Sequence, residues 1–146
     1  MKIFNTFLIA ILISSTVFGQ AQKPDDFLSS DFHQDRREVL RKKMPKNSVA
    51  VFFSNPIRNR ANDVNYKYHQ DPNFYYLTGH RQPHALLMIF SEEQTINGST
   101  FNEIVFVRGR NALAELYDGG RLTTAQAVED LKLELALETP EFKNFP

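Results

Sequence analysis

Three short apolar runs constrain this chain more than any other feature. They are Ser48-Val49-Ala50-Val51-Phe52-Phe53, Ala85-Leu86-Leu87-Met88-Ile89-Phe90 and Glu103-Ile104-Val105-Phe106-Val107. Each is rich in branched or aromatic residues, the pattern of a buried strand. Asn97-Gly98 stands between the second and third runs. That dipeptide accepts positive φ at two successive residues, as a tight hairpin turn requires. The pattern predicts strands over 48–54, 85–90 and 103–108, adjacent in one sheet.

Helical signals flank these runs. Ser30 or Asp31 is placed to cap a first helix. Phe32, Val39 and Leu40 follow at helical spacing, with Arg36, Arg37, Arg41, Lys42 and Lys43 assigned to a solvated face. Pro45 stops this helix. Thr123 or Thr124 caps a last helix, read through Leu137 with Ala127, Leu131 and Leu135 in register, and Pro140 lies beyond it. Between them, residues 54–73 contain Asn55-Pro56 and Asp71-Pro72 and read as a long irregular surface segment. An aromatic cluster, Phe74-Tyr75-Tyr76-Leu77, then runs to Thr78-Gly79. The order of elements predicts one α/β domain, a mixed sheet flanked by helices. With no Trp, the thirteen Phe and five Tyr are left to dominate its core.

The first 21 residues read as a separate object. Lys2 precedes the apolar run Phe7–Ile13, and small residues follow at Val17, Gly19 and Ala21. This is the form of a cleaved signal peptide, too short to span a membrane comfortably. The expected organisation is a signal peptide over 1–21, a flexible lead over 22–30 and a folded domain over 31–146. The expected location is periplasmic or secreted, with no membrane attachment after cleavage. Cysteine is absent, so disulfides, thiol chemistry and a lipoprotein anchor are all excluded. Seventeen basic residues balance seventeen acidic ones. Removal of Lys2 with the leader leaves 16 against 17, a net of −1. No basic excess points to nucleic acid.

Catalytic patterns are sparse. His80 and His84 are four apart but Pro83 interrupts any helix between them, and they are read with His69 as loop or surface histidines. Gly119-Gly120 lacks the Lys and Ser/Thr of a phosphate loop. No G-x-S-x-G elbow is present. The chain is therefore expected to hold no catalytic constellation and no metal site of its own.

The centre of the chain reads Arg60-Ala61-Asn62-Asp63-Val64-Asn65-Tyr66, then Tyr68-His69-Gln70-Asp71-Pro72-Asn73-Phe74-Tyr75-Tyr76-Leu77-Thr78-Gly79, with Pro83 and a strand following. This resembles the amino-terminal domain of the aminopeptidase P family, whose form is R-x-x-D-x-x-Y-x-Y-R-Q-x-S/P-x-F-x-Y-L-T-G followed by E-P. Arg110 through Leu122 resembles the family's R-x-x-x-x-E-x-W-x-G-x-R-L loop. The resemblance covers residues 31–125. His69 stands where the family has Arg, Gln82 where it has Glu, and Tyr117 where Trp is common. Prolidase and creatinase share the domain type, but Tyr68, Gln70 and the YLTG block fit aminopeptidase P better.

The resemblance implies a ribonuclease-H-like layout and a two-part enzyme acting on peptides with proline at position two. In that family a separate catalytic domain binds two divalent metals, commonly manganese, through two Asp, one His and two Glu. Those ligands lie carboxy-terminal to this domain, so the chain itself is expected to be inactive and without cofactor. The amino-terminal domain supports homo-oligomers and rims an active site. On that basis Asp63 and Tyr117 are the candidate cleft-rim residues. The plainer alternatives are that Asp63 caps a turn and that Tyr117 is core. At the level of the chain, a fragment of a metallopeptidase and a stand-alone binding or assembly module remain as two readings.

Overall fold

A computed structural model describes residues 27–146. The leader expected over 1–21 lies outside the described residues, as does most of the lead.

Helix α1 spans Ser30–Lys43. Its cap is Ser29, whose hydroxyl accepts from the Phe32 amide at 3.2 Å, one residue earlier than expected. Asp31 in the first turn and Arg41, Lys42 and Lys43 in the last suit the helix dipole. Met44 is extended ahead of Pro45 and ends the helix. Strand β1 is Val49–Phe53.

The segment read as irregular contains order. Strands β2 (Asn59–Ala61) and β3 (Val64–Asn65) pair as a small hairpin. The aromatic cluster is helix α2, Pro72–Thr78. Asp71 caps it, accepting from the Asn73 and Phe74 amides at 2.9 Å. Pro72 fits the first turn, where no amide partner is needed. Gly79 ends it at φ 69°. A side chain there would be strained and would also meet the His33 ring, since a Cβ would stand 2.7 Å from it.

Strands β4 (Leu86–Ile96) and β5 (Ser99–Val107) form the expected hairpin, with Asn97 and Gly98 at positive φ. Helix α3 is Ala112–Asp118. Helix α4 is only Thr124–Leu131. Its predicted extension to Leu137 is incorrect. Lys132 turns left-handed at φ 51°, and strand β6, Leu135–Glu138, pairs parallel with β5. A 3₁₀ turn follows over Thr139–Asn144.

The sheet order is β1-β4-β5-β6, antiparallel except for the last pair. The three predicted strands are adjacent, as expected. Alternation sends Leu87, Ile89, Val105, Val107 and Ala136 to one face, under Phe74, Leu77, Ala127 and Leu131 from the helices. Leu86, Met88, Ile104 and Phe106 face the other way. There Phe142 and Phe145 meet Phe106 edge-on at 5.4 Å.

Arg37 does not belong to a solvated face. It is fully buried. The pairing of Ile89 with Glu103 puts that carboxylate on the helix side of the sheet, where Arg37 Nε donates to Glu103 Oε2 at 2.8 Å. Arg37 Nη1 donates to the Leu77 carbonyl at 2.8 Å, and Nη2 donates to the carbonyls of Leu131 and Lys132. One guanidinium thus satisfies orphan carbonyls at the ends of α2 and α4. Burial pushes the Glu103 carboxyl up, opposed by the Arg37 bond.

Candidate functional site

The β2–β3 hairpin carries Asp63 in its turn, beside Asn62 at φ 50°. Asp63 is exposed. The turn is clasped by Asn59, whose Nδ2 donates to the carbonyls of Asn62 and Val64 at 2.9 and 3.2 Å. A short polar residue before a tight turn performs the bond that the plainer reading gave to Asp63. A groove of about 210 Å³ lies at the hairpin's base, bordered by Arg58, Tyr66, Lys67 and His69.

The hairpin is held to the body by Gln70. Its Oε1 accepts from the Asn55 amide (3.1 Å), the Tyr68 hydroxyl (2.9 Å) and the Asp71 amide (2.8 Å). Its Nε2 donates to the carbonyls of His80 and Gln82, both at 3.1 Å. An amide is one of the few side chains that both accepts and donates in this way. Tyr68 and Gln70 therefore shape the loop that presents Asp63. Burial raises the Tyr68 pKa. Sequence reasoning noted these two residues only as motif letters; their period-two spacing was the available signal of a shared direction.

Tyr117 is on α3 and is 85% exposed, so it is not core. Leu113 and Leu116 beside it are 69% and 79% exposed. Helix α3 buries no residue at all. Asn111 caps it by accepting from the Ala114 amide at 2.9 Å. Glu115 accepts from the Asn111 amide at 2.9 Å and pairs with Arg110 at 2.7 Å. The Asn111 bond is the main cause of its lowered pKa. Asp63 and Tyr117 thus stand on separate projecting elements, and among the described residues no hydrogen bond or ion pair links them.

The histidines divide. His69 and His84 are exposed, as expected. His80 is not a surface residue; it is 3% exposed against the Phe74 ring. Burial, aided by the charge of Arg108, lowers its pKa to about 4. His33 is also buried, with Nδ1 donating to the Tyr76 carbonyl at 2.8 Å. Among the described residues no group of three His, Asp or Glu is arranged to hold a metal ion. No described helix is long and apolar enough to cross a membrane.

Residues 33–145 match the family model described as the aminopeptidase P amino-terminal domain. The chain is 33% identical over 115 residues to an Xaa-Pro aminopeptidase of Haemophilus influenzae, covering 79% of this chain and 26% of that protein. It is 34% identical over 114 residues to the Xaa-Pro aminopeptidase of Escherichia coli, covering 78% and 25%. The solved structure of Escherichia coli aminopeptidase P with the inhibitor Pro-Leu superposes with a TM-score of 0.71 at 31% identity, over 80% of this chain and 26% of that one. An aminopeptidase from Pseudomonas aeruginosa gives a TM-score of 0.73 at 26% identity, over 81% and 26%. The chain spans about a quarter of the length of these relatives.

Proposed function

The chain belongs to the aminopeptidase P amino-terminal domain family, and from that premise we propose that it is the non-catalytic, cleft-bordering part of an exported enzyme. That enzyme releases the first residue from peptides with proline at position two. The observation that carries this reading is helix α3, which turns Leu113, Leu116 and Tyr117 outward while the loop that bears it is closed at its neck by the bond from Arg121 to the Gly109 carbonyl. Apolar side chains presented on a tethered projection fit a surface that meets substrate or another subunit. Tyr117 offers a flat wall to a proline ring with its hydroxyl still wet. Asp63, at the hairpin tip, is placed to accept a hydrogen bond from a substrate amine or a neighbouring arginine.

The described residues do not fit a metal pair, since no suitable group of ligands is present among them. In this reading two divalent metals, manganese by family resemblance, and the residues that hold them lie outside the chain. Homo-oligomer formation and export belong to the same proposal. Two experiments test it. Purified chain should release nothing from Xaa-Pro peptides, with or without manganese; metal-dependent release that a chelator abolishes overturns the non-catalytic assignment. In an enzyme carrying this domain, Asp63→Ala and Tyr117→Ala should each lower kcat/KM about tenfold, the effect of losing roughly 1.4 kcal/mol of transition-state binding, with Tm nearly unchanged. Unchanged kinetics in both variants sinks the cleft role.

A further inference from the structure

The base of the α3 projection holds two arginines whose bonding is incomplete. Arg121 Nη1 donates to the Gly109 carbonyl at 2.9 Å, and Gln82 Nε2 donates to the Gly120 carbonyl at 2.7 Å. These bonds close the neck of the loop that begins at Arg108 and returns at Arg121. The Arg108 and Arg121 side chains are 16% and 10% exposed. Both approach one oxygen, Asp118 Oδ2, at 3.3 and 3.5 Å. Charge-assisted N–H···O bonds usually measure about 2.7–2.9 Å, so both pairs are slack. The Nε atom of each arginine is buried without a partner.

Two guanidinium groups also share one carboxylate in direct contact. Arg110 pairs with Glu115, whose charge also acts on Arg108 from farther off, and the Glu138 carboxylate lies against Gly109. Among the described residues, however, Asp118 is the one carboxylate that pairs directly with both Arg108 and Arg121. The Arg108 pKa is lowered, first by desolvation and next by the charge of Arg121. Buried donors without partners are few in native proteins, and an ion is one way to complete them. A water molecule would meet the donors but not the charge. A carboxylate meets both, because its two oxygens match the guanidinium fork.

We propose that Arg108 and Arg121 form a carboxylate-binding site for a peptide, with Asp118 as the internal occupant that the incoming carboxylate displaces. The identification of the ligand as a peptide rests on the cleft-rim reading of α3. The terminal carboxylate of a short peptide and an acidic side chain offer the same chemistry.

The Nε–Hε signals of ¹⁵N-labelled full chain report on this site directly. The probes are Ala-Pro-Ala as free acid, its carboxy-terminal amide, and Ala-Pro-Glu amide, which carries only a side-chain carboxylate. Millimolar free acid should shift the Arg108 and Arg121 signals saturably. Ala-Pro-Ala amide should bind at least several-fold more weakly. A response to Ala-Pro-Glu amide supports a site that takes side-chain carboxylates; silence assigns the site to chain termini. Asp118→Asn should tighten binding of the free acid several-fold by removing the competitor, whereas a purely structural Asp118 would only lower Tm. Equal shifts with the neutral Ala-Pro-Ala amide, no saturation with the free acid, or weaker binding by Asp118→Asn in folded protein overturns the proposal. Ala-Gly-Ala free acid separates the two readings: if it binds as well as Ala-Pro-Ala, the carboxylate site stands and the proline-based reading of the cleft loses its support.

Discussion

At residue scale, the inner face of α1 is polar where hydrophobic spacing predicts otherwise. His33, Arg37, Leu40 and Met44 form the inward stripe, while Val39 is 41% exposed. Phe32, Val39 and Leu40 were the natural choice from hydrophobicity, because a charged residue is rarely buried without a partner. The partners of Arg37 are 40 to 95 residues away in sequence, and no local pattern announces them. Arg37→Met should therefore destabilise the fold by about 3–5 kcal/mol, since it strands the buried Glu103 carboxylate. Adding Glu103→Leu should recover a large part of that loss in urea unfolding. A double variant as unstable as the single one would place the loss in the helix-end carbonyls instead. His80 gives a prediction in pH. Its folded pKa, about 4, lies below the ordinary 6.5. The unfolded chain binds the proton more readily, so this contribution is complete above pH 6.5 and is lost as pH falls from 6.5 through 4. The loss is on the order of 2–3 kcal/mol. Stability measured at pH 7.5 and 4.5 should fall less in His80→Phe than in the parent chain; identical declines would refute the assignment.

At element scale, the boundary between α4 and β6 shows how two periods can share one sequence. Leu131 and Leu135 are four apart, as in a helix. Leu133, Leu135 and Leu137 also alternate, as in a strand. The parallel edge of β5 decides between them by pairing Ile104 with Leu135 and Val107 with Glu138. Lys132 absorbs the change of direction in a left-handed conformation. Lys132→Gly should consequently be more stable than Lys132→Ala, by about 1 kcal/mol. A continuous helix would reverse that order. Both variants lose the exposed ion pair with Asp31 equally, so the comparison isolates the backbone. The central strands were legible because each has a dense apolar run and the Asn97-Gly98 turn fixes their pairing. Helix α2 was not, because Asp71-Pro72 and Thr78-Gly79 serve equally as loop punctuation and as the two caps of a helix. The candidate site was legible only through family resemblance. Exposure of Tyr117 depends on α3 standing off the sheet, which the apolar spelling of Leu113, Leu116 and Tyr117 conceals.

At the scale of the whole molecule, the described fold begins close to the expected end of the lead. The Arg81 guanidinium lies 3.6 Å from the Phe27 ring centroid and 5.4 Å from that of Tyr75. Cleavage after residue 21 would leave this contact intact. The proposed leader predicts that mass spectrometry of exported protein will find residue 22 at the amino terminus, and that chain 22–146 will melt where the uncleaved chain does. An intact Met1 on the exported form counts against it. The Arg37 junction has a kinetic consequence at the same scale. Helices α1, α2 and α4 come from the beginning, middle and end of the described chain, yet they share one guanidinium. Fraying of any one exposes the same charge and frees the same carbonyls. Their amide hydrogens should therefore exchange with solvent through a common opening rather than three separate ones, making the helical layer one cooperative unit drawn from distant parts of the sequence.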